Sequence, residues 1–470
     1  MLKPVDKQEI LSNLPPEWPQ DAMPMILEAL ATQNRKLVVL DDDPTGTQTV
    51  HDLTVITEWT VDALARELED DTSTFYILTN SRSMPIADAK ALNREIATNL
   101  RVASEQTGRD FVILSRSDST LRGHFPGEVD ALVDALQRDY DGWIIMPFFI
   151  EGGRYTIDDI HYVEEGEKLV PASQTAFAKD KAFAYQASNL KEWLVEKTER
   201  RISNKDICSI SLDDIRLGGA EQVSKKLLGL SKNAICIVNA ASTHDVQIFV
   251  TGLLKAEAQG KKFIYRTAAS FVQARAGLSP QPLLDLQKLN IESANAGLIV
   301  VGSYVPKTTQ QLHVLIEQGK VKAVEIDVNV LLDDAIRQQS IEAITKEVDL
   351  SLQDDLDVVM FTSRKLITVE DAVGNLSVGK KISDALVAIV QNLQIQPRYI
   401  LAKGGITSSD VATKGMNVKR AYVLGQILAG VPVWQLGEES RFPQMPYIIF
   451  PGNVGDENAL ATVIRKLSKD

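Results

Sequence analysis

Four short aliphatic runs in the first third of the chain each stop abruptly at a dense polar cluster. Lys36-Leu37-Val38-Val39-Leu40 runs into Asp41-Asp42-Asp43-Pro44-Thr45-Gly46-Thr47. Phe75 to Leu78 ends in Thr79-Asn80-Ser81-Arg82-Ser83. Phe111 to Leu114 ends in Ser115-Arg116-Ser117-Asp118-Ser119-Thr120-Leu121-Arg122-Gly123, and Trp143 to Met146 in Pro147 and then Gly152-Gly153-Arg154. A run of this kind closed by a polar loop reads as a buried parallel strand. Helical patterns over Ala87 to Val102 and Pro126 to Leu136 separate the runs. Strand, loop, helix, repeated, predicts a parallel sheet with crossover helices, whose right-handed connections gather the loops at one edge. Ligands of open α/β sheets bind at that edge. It would hold Asp42, Asp43, Arg82, Arg116, Asp118 and Arg154, a mixture suited to a small anionic, hydroxylated ligand.

At 470 residues the chain has room for two domains. We expect an extension over 1–35, a first α/β domain over 36–285 and a second over 290–470. The stretch Glu151 to Lys181 breaks the alternation and reads as an irregular segment that covers a site. The extension, with Pro15, Pro16, Trp18 and Pro19, packs either on the core or on a partner. In the second domain, strands are expected over Gly297–Val301, Ala323–Ile326, Val358–Phe361, Tyr399–Ala402, Val431–Trp434 and Tyr447–Phe450. Their following loops are polar or glycine-rich: Gly302-Ser303, Thr362-Ser363-Arg364, Lys403-Gly404-Gly405-Ile406-Thr407-Ser408-Ser409 and Pro451-Gly452-Asn453-Val454-Gly455. Glycines let the backbone approach a phosphate, so several such loops point to a nucleotide.

Net charge is −13, from 50 basic and 63 acidic residues, which argues against nucleic-acid or anionic-membrane binding. No apolar stretch is long enough to span a bilayer and the N-terminus is unlike a signal peptide. Cys208 and Cys236 sit inside apolar runs and read as buried thiols of a cytoplasmic protein. Five scattered histidines give no zinc site.

Two motifs compete for attention. Gly374 to Lys381 almost matches a P-loop, but Lys381 stands where a hydroxyl is needed for magnesium, and Thr368 to Val373 is a poor strand. That segment reads as a lead-in to a helix over Ile382 to Leu393. Leu40-Asp41-Asp42-Asp43-Pro44-Thr45 fits the haloacid dehalogenase phosphatase pattern, which would make Asp41 a phosphoryl-accepting nucleophile and Asp43 the acid/base. No later strand supplies its paired acidic residues, and the glycine-rich second domain goes unexplained.

The assembled pieces resemble the four-carbon acid sugar kinase family, the threonate, erythronate and 3-oxo-tetronate kinases. Asp42-Asp43-Pro44-Thr45-Gly46 resembles its Asp-Asp-Leu-Thr-Gly loop, Arg82-Ser83 its Thr-Arg-Ser element, and Arg116 to Gly123 its Lys-Ile-Asp-Ser-Thr-Leu-Arg-Gly stretch. Pro147 to Arg154 is similar to its Pro-rich, Gly-Arg loop. Arg116 in place of Lys, Pro44 in place of Leu and the preceding Asp41 are departures. The resemblance implies two α/β domains with mostly parallel sheets and an active site in the interdomain cleft. It also implies ATP and Mg²⁺ as cofactors and a sugar acid as the partner molecule, and a homo-oligomer is compatible with it. On this reading Arg82 and Arg116 clamp the substrate carboxylate, with Asp42, Asp118, Ser119, Thr120 and Arg154 completing the substrate site. Asp43 is the favoured base. Ser303, Gly404, Gly405, Ile406, Thr407, Gly452, Asn453 and Gly455 bind ATP, and no metal-ligating residue is assigned. Besides the phosphatase, a non-catalytic sugar-acid sensor is the remaining alternative.

Overall fold

The computed structural model describes residues 2–289, 291, 293–303, 305–354, 356–364 and 372–468, with 372–377 described by backbone alone. The chain divides into two compact units, Met1–Gly46 with Glu58–Pro280, and Thr47–Thr57 with Gln281–Asp470.

The first unit holds a parallel sheet. Its strands lie in the spatial order Ile207–Ile210, Ala234–Val238, Gly142–Met146, Phe263–Thr267, Asp110–Arg116, Arg35–Asp41, Thr74–Leu78. Every residue of Thr74–Leu78 and of Gly142–Met146 is buried, as expected of strands covered by helices on both faces. Each fully buried aliphatic side chain contributes on the order of 1.5–3 kcal/mol. The crossover helix Ile86–Thr107 buries Ala89, Asn93, Ile96, Ala97, Leu100 and Ala103, one face at helical spacing, and ends where Gly108 turns left-handed at φ 66°.

Residues 151–181 do cover this unit, but they are not irregular. Arg154–Ile157, Ile160–Glu165 and Lys168–Pro171 form an antiparallel meander. Short strands with mixed polar faces carry little periodic signal, which is why the sequence hides them. The N-terminal extension completes the meander: Val5 and Asp6 pair with Leu169 and Lys168, and Lys7 reaches Glu164 at 2.8 Å. Further along, Arg216 donates to the Pro15 carbonyl at 2.8 Å, and the Trp18 ring lies against Gly219. The extension therefore packs on the outside of its own unit, with only Ala22 and Ile26 buried among its described residues.

The second unit is a mixed sheet in the order Leu53–Ile56, Arg420–Leu428, Val431–Leu436, Pro446–Phe450, Ile400–Lys403, Leu298–Val301, Asp357–Thr362, Val321–Ile326. The pairings are antiparallel as far as Pro446–Phe450 and parallel beyond it. The strands Leu53–Ile56 and Arg420–Leu428 are additions to the sequence expectation. Arg420–Leu428 alternates buried and half-buried residues and carries Gly425 at a register shift, so its apolar pattern is diluted. Asp357 anchors the sheet: it accepts from the Gly297 amide at 2.6 Å, Arg398 at 2.8 Å and the Tyr399 hydroxyl at 2.6 Å. The P-loop-like Gly374–Lys381 stretch lies inside the helix Ala372–Asn392, which starts earlier than expected, so no phosphate loop forms there. Thr368 to Asp371 lie outside the described residues. Among the described residues no helix is long and apolar enough to cross a membrane.

The Arg216–Asp245 pair is buried and bidentate, with both contacts at 2.8 Å. Asp245 also completes a capping box at the start of Thr243–Ala258. Arg216→Ala leaves that carboxylate buried and uncompensated, so we expect a loss of about 3–5 kcal/mol in urea unfolding. Faster amide exchange at Glu17 and Trp18, which follow the prolines Pro15 and Pro16, should accompany it. A change under about 1 kcal/mol with unaltered exchange would show that the pair does not anchor the extension.

Candidate functional site

In the first unit the strand order reverses between Arg35–Asp41 and Asp110–Arg116. The chain leaves Arg35–Asp41 for Thr74–Leu78 on one side, then returns past it to Asp110–Arg116 on the other. Such a switch point opens a crevice at the carboxyl ends of the two strands. Asp41, Asp42, Asp43, Arg116 and Asp118 leave the sheet there, and the loop bearing Arg82 joins them. Backbone bonds knit the loops together: Thr79 N–H donates to the Asp41 carbonyl at 2.9 Å and Arg82 N–H to that of Asp42 at 3.3 Å.

The side chains form one charged network. Arg116, 5% exposed, lies 3.1 Å from Asp41 Oδ1 and 3.5 Å from Asp42 Oδ1. Arg82 contacts Asp43 and lies 3.4 Å from Asp118 and 3.9 Å from Asp42. Asp43 Oδ1 accepts from Thr45 N–H at 2.8 Å and from its hydroxyl at 2.5 Å. Burial pushes Asp41 up to about 8 against the pull of Arg116. Asp42 is also raised, by burial, with Arg82 and Arg116 offsetting only in part. Burial acts upward on Asp43 too, but Arg82, Thr45 and Arg116 more than offset it and its carboxyl sits low. Asp118 is held far below the usual carboxylate range despite burial, by Arg82, Arg122 and Thr120.

Arg116 was expected to clamp a ligand carboxylate. The structure instead sets it under Asp41 and Asp42 as their counter-ion. Asp41, 1% exposed, is sealed beneath Gly46, where any Cβ would collide with its carboxylate. A carboxyl sealed in this way and held by Arg116 is poorly placed to act as a nucleophile.

The Asp118–Gly123 loop is held through its backbone. The buried His161 donates from Nε2 to the Ser119 carbonyl at 2.7 Å, while its Nδ1 faces the Thr156 hydroxyl at 3.0 Å. Burial brings this imidazole down to about 4, so it stays neutral and keeps that tautomer. The Tyr185 hydroxyl donates to the Thr120 carbonyl at 2.8 Å, and Arg266 donates to that of Arg122 at 3.0 Å. The Thr120 hydroxyl is turned onto Asp118, and Arg122 Nε meets Asp118 at 2.8 Å. Ser119 and Thr120, expected as ligand contacts, thus serve here through their carbonyls and an internal bond. Gly123 sits at φ 120°, 3.4 Å from Asp42 Oδ2 when a Cβ is built on it, a close approach that favours glycine.

Two arginines beside this network, the half-buried Arg154 and the buried Arg266, make no ion pair with a carboxylate among the described residues. Arg154 lies 5.4 Å from the Phe177 ring, and its Nε is buried without a hydrogen bond. Arg266, 2% exposed, leaves Nε and Nη1 in the same condition, beside the stacked rings of Phe125 and Trp193. Burial depresses both guanidiniums, and neighbouring acids offset this only partly. Asp42 Oδ2 is likewise buried and unpartnered. Sequence reasoning missed Arg266, although Phe263–Tyr265 is another apolar run that ends at an arginine.

The second unit has its own switch point, between Leu298–Val301 and Ile400–Lys403. Three glycine loops converge there on Ser303. A Cβ on Gly404, which has φ 113°, would come 2.9 Å from Ser303 Cβ, and one on Gly452 would come 3.3 Å from Ser303 Oγ. A Cβ on Gly302 would collide with the Thr407 hydroxyl. Thr308 bonds the Gly452 carbonyl at 3.2 Å, Gln311 the Val454 carbonyl at 2.9 Å, and Lys307 the Asn453 carbonyl at 3.3 Å. Gly455 adopts φ 78° in the same loop. Gly405 begins the helix Gly405–Asp410, with Ile406 61% exposed beside it. Lys403, which sequence reasoning did not single out, is fully buried; its Nζ reaches the Pro451 carbonyl at 3.2 Å and lies 3.8 Å from the Phe450 ring centre. Burial, with Lys307 nearby, brings it down to about 7. Among the described residues no group of three or more His, Cys, Asp or Glu is set to hold a metal ion.

Comparison with known proteins matches both halves. Residues 37–275 fit the model of a sugar-binding N-terminal domain and residues 298–460 that of a nucleotide-binding C-terminal domain. The D-erythronate kinase of Heliobacterium modesticaldum is 24% identical over 415 residues, 83% of this chain and 85% of that protein. Haemophilus influenzae protein HI1011 is 17% identical with a TM-score of 0.62, over 92% of this chain and all (100%) of that one. A Salmonella typhimurium LT2 protein is 16% identical with a TM-score of 0.67, over 93% of this chain and 100% of its own. These structures share the fold, two α/β units with helix-covered sheets. The sugar-binding model takes in the Asp–Arg crevice and the nucleotide-binding model the glycine loops, and on that match the chain belongs to the four-carbon acid sugar kinase family.

Proposed function

We propose that the protein transfers the γ-phosphoryl group of ATP to a hydroxyl of a four-carbon sugar acid of the erythronate or threonate type. The observation that carries this is the pair of carboxylate-free guanidiniums, Arg154 and Arg266, in the same crevice as the unpartnered Asp42 Oδ2. A buried cation without an anion is costly, and a ligand carboxylate relieves that cost. On this reading Arg154 and Arg266 take the carboxylate, while Arg82 and Arg116 hold the aspartates in place. Both oxygens of Asp43 are engaged by Thr45 and Arg82, so the base role moves from Asp43 to Asp42. Asp42 Oδ2 accepts from the attacking hydroxyl, whose oxygen bonds to the γ-phosphorus as the bond to ADP breaks and the proton passes to Asp42.

The glycine loops around Ser303 suit ATP, because side chains there would fill the space phosphates need. Mg²⁺ bound together with the nucleotide would supply charge neutralisation, and it needs few carboxylate ligands from the protein. Lys403 adds a buried cation that an anionic ligand would hold protonated. ATP as substrate and the free thiols Cys208 and Cys236 suit a cytoplasmic protein.

ADP release across a panel of four-carbon acids tests the reaction, and phosphate release without ATP would instead favour the phosphatase. In the same assay Asp42→Asn should lose about 10²-fold in kcat, the usual effect of removing a general base. Asp43→Asn should act mainly on KM, through a loosened Arg82. The reverse pattern would return the base role to Asp43.

Gly404→Ala should lose ATP binding by calorimetry while retaining the acid. Unchanged ATP affinity would remove the cradle from the site.

Protonation gives an independent check on Lys403. Phosphates beside it raise its pKa from about 7, so ATP binding at pH 8 takes up a proton, and affinity falls as pH climbs above 7. Calorimetry in buffers of different ionisation enthalpy reads the uptake, which Lys403→Met should abolish. Equal uptake in that variant would place the proton elsewhere.

A further inference from the structure

The second unit contains a groove of about 750 Å³ that neither the glycine loops nor Lys403 lines. One wall is the helix Pro306–Glu317, through Leu312 and Ile316. The floor is formed at the ends of Val321–Ile326 and Asp357–Thr362, through Phe361, Asp327 and Asn329. Arg364 closes the end nearest the glycine loops and donates from Nη2 to the Ser303 carbonyl at 2.5 Å. Ser303 therefore has the glycine cradle on one side and this groove on the other.

We propose that the groove seats the nucleoside of the ATP whose phosphates the cradle holds; the inference rests on the nucleotide reading above. Leu312, Ile316 and Phe361 offer an apolar slot for a flat base. Asp327 follows the edge strand Val321–Ile326 and lines the groove, where a carboxylate can accept from ribose hydroxyls. Its Oδ1 caps Val328–Leu332 by accepting from the Asn329 amide and side chain, each at 2.9 Å, which fixes the carboxylate and leaves Oδ2 for a vicinal diol. The direction also fits the topology. The cradle loops follow Leu298–Val301, Ile400–Lys403 and Pro446–Phe450, whereas the groove lies over the opposite flank of the sheet. A nucleotide laid along the sheet edge thus places its base on the Asp327 flank and its γ-phosphoryl group towards Pro446–Phe450.

The test uses the full chain with ADP and inorganic tripolyphosphate as probes in calorimetry. Ile316→Trp fills the slot from a half-buried position, and Asp327→Asn keeps a capping oxygen while removing the charge. Ile316→Trp should weaken ADP at least tenfold and Asp327→Asn several-fold, with tripolyphosphate affinity within twofold of wild type in both. Thermal melts and light scattering verify fold and mass. ADP affinity unchanged in both variants would overturn the proposal while leaving the cradle intact. Equal loss of ADP and tripolyphosphate would overturn it as well, since the groove would then act on the cradle itself. An altered mass in Ile316→Trp would mark the groove as a contact between copies and also overturn it. Failure of the wild-type protein to bind either probe would instead defeat the nucleotide reading as a whole.

Discussion

Arg116, buried between Asp41 and Asp42, is the interaction on which the sugar-binding unit depends. Three consecutive carboxylates at the end of a covered strand would repel one another and resist burial. One guanidinium below them and another, Arg82, across them make the arrangement tenable. The network costs desolvation, which its ion pairs offset, and it fixes charged groups at the mouth of the strand crossover. Arg116 and Asp42 also exchange a backbone bond, Asp42 N–H to the Arg116 carbonyl at 3.4 Å, so charge and sheet geometry reinforce each other.

Around this fixed core the unit divides its cations into two kinds. Arg82, Arg116 and Arg122 have carboxylate partners, whereas Arg154 and Arg266 face aromatic rings and lack them. The first kind holds the protein's own charges in place, and the second leaves an unmet demand for an anion. The neutral His161 and Tyr185 do the positioning, gripping carbonyls of the Asp118–Gly123 loop without adding charge. The nucleotide-binding unit follows the same economy: Asp357 ties its sheet, while Lys403 waits buried beside the cradle without a carboxylate.

Much of this was legible in the sequence. The strands of both sheets that are continuous aliphatic runs were found within a residue or two, because full burial on both faces writes an unbroken apolar signal. The charged loops were found because each such run ends in one. Hidden from that signal were the meander over 154–171, the strand Arg420–Leu428 and the pairing of Val5 with Leu169, whose side chains are mixed or whose partners lie far along the chain. Roles within the site were harder to read than membership. Arg116 and Arg154 both follow aliphatic runs in the sequence, and only their surroundings make one a counter-ion and leave the other without a carboxylate.

The sequence by itself determined the fold class, the two loop-bearing sheet edges, the family resemblance and most of the residues gathered at each site. These are local properties: periodicity, turn chemistry and motif spacing act over a few residues at a time. The tertiary structure alone decided which carboxylate is paired and which keeps an unpartnered oxygen, that Arg266 and Lys403 stand buried beside the sites, and that Thr47–Thr57 joins the sheet of the second unit through Leu53–Ile56 and Arg420–Leu428. Each depends on desolvation and on contacts between residues distant in the chain, and neither leaves a mark on the local pattern.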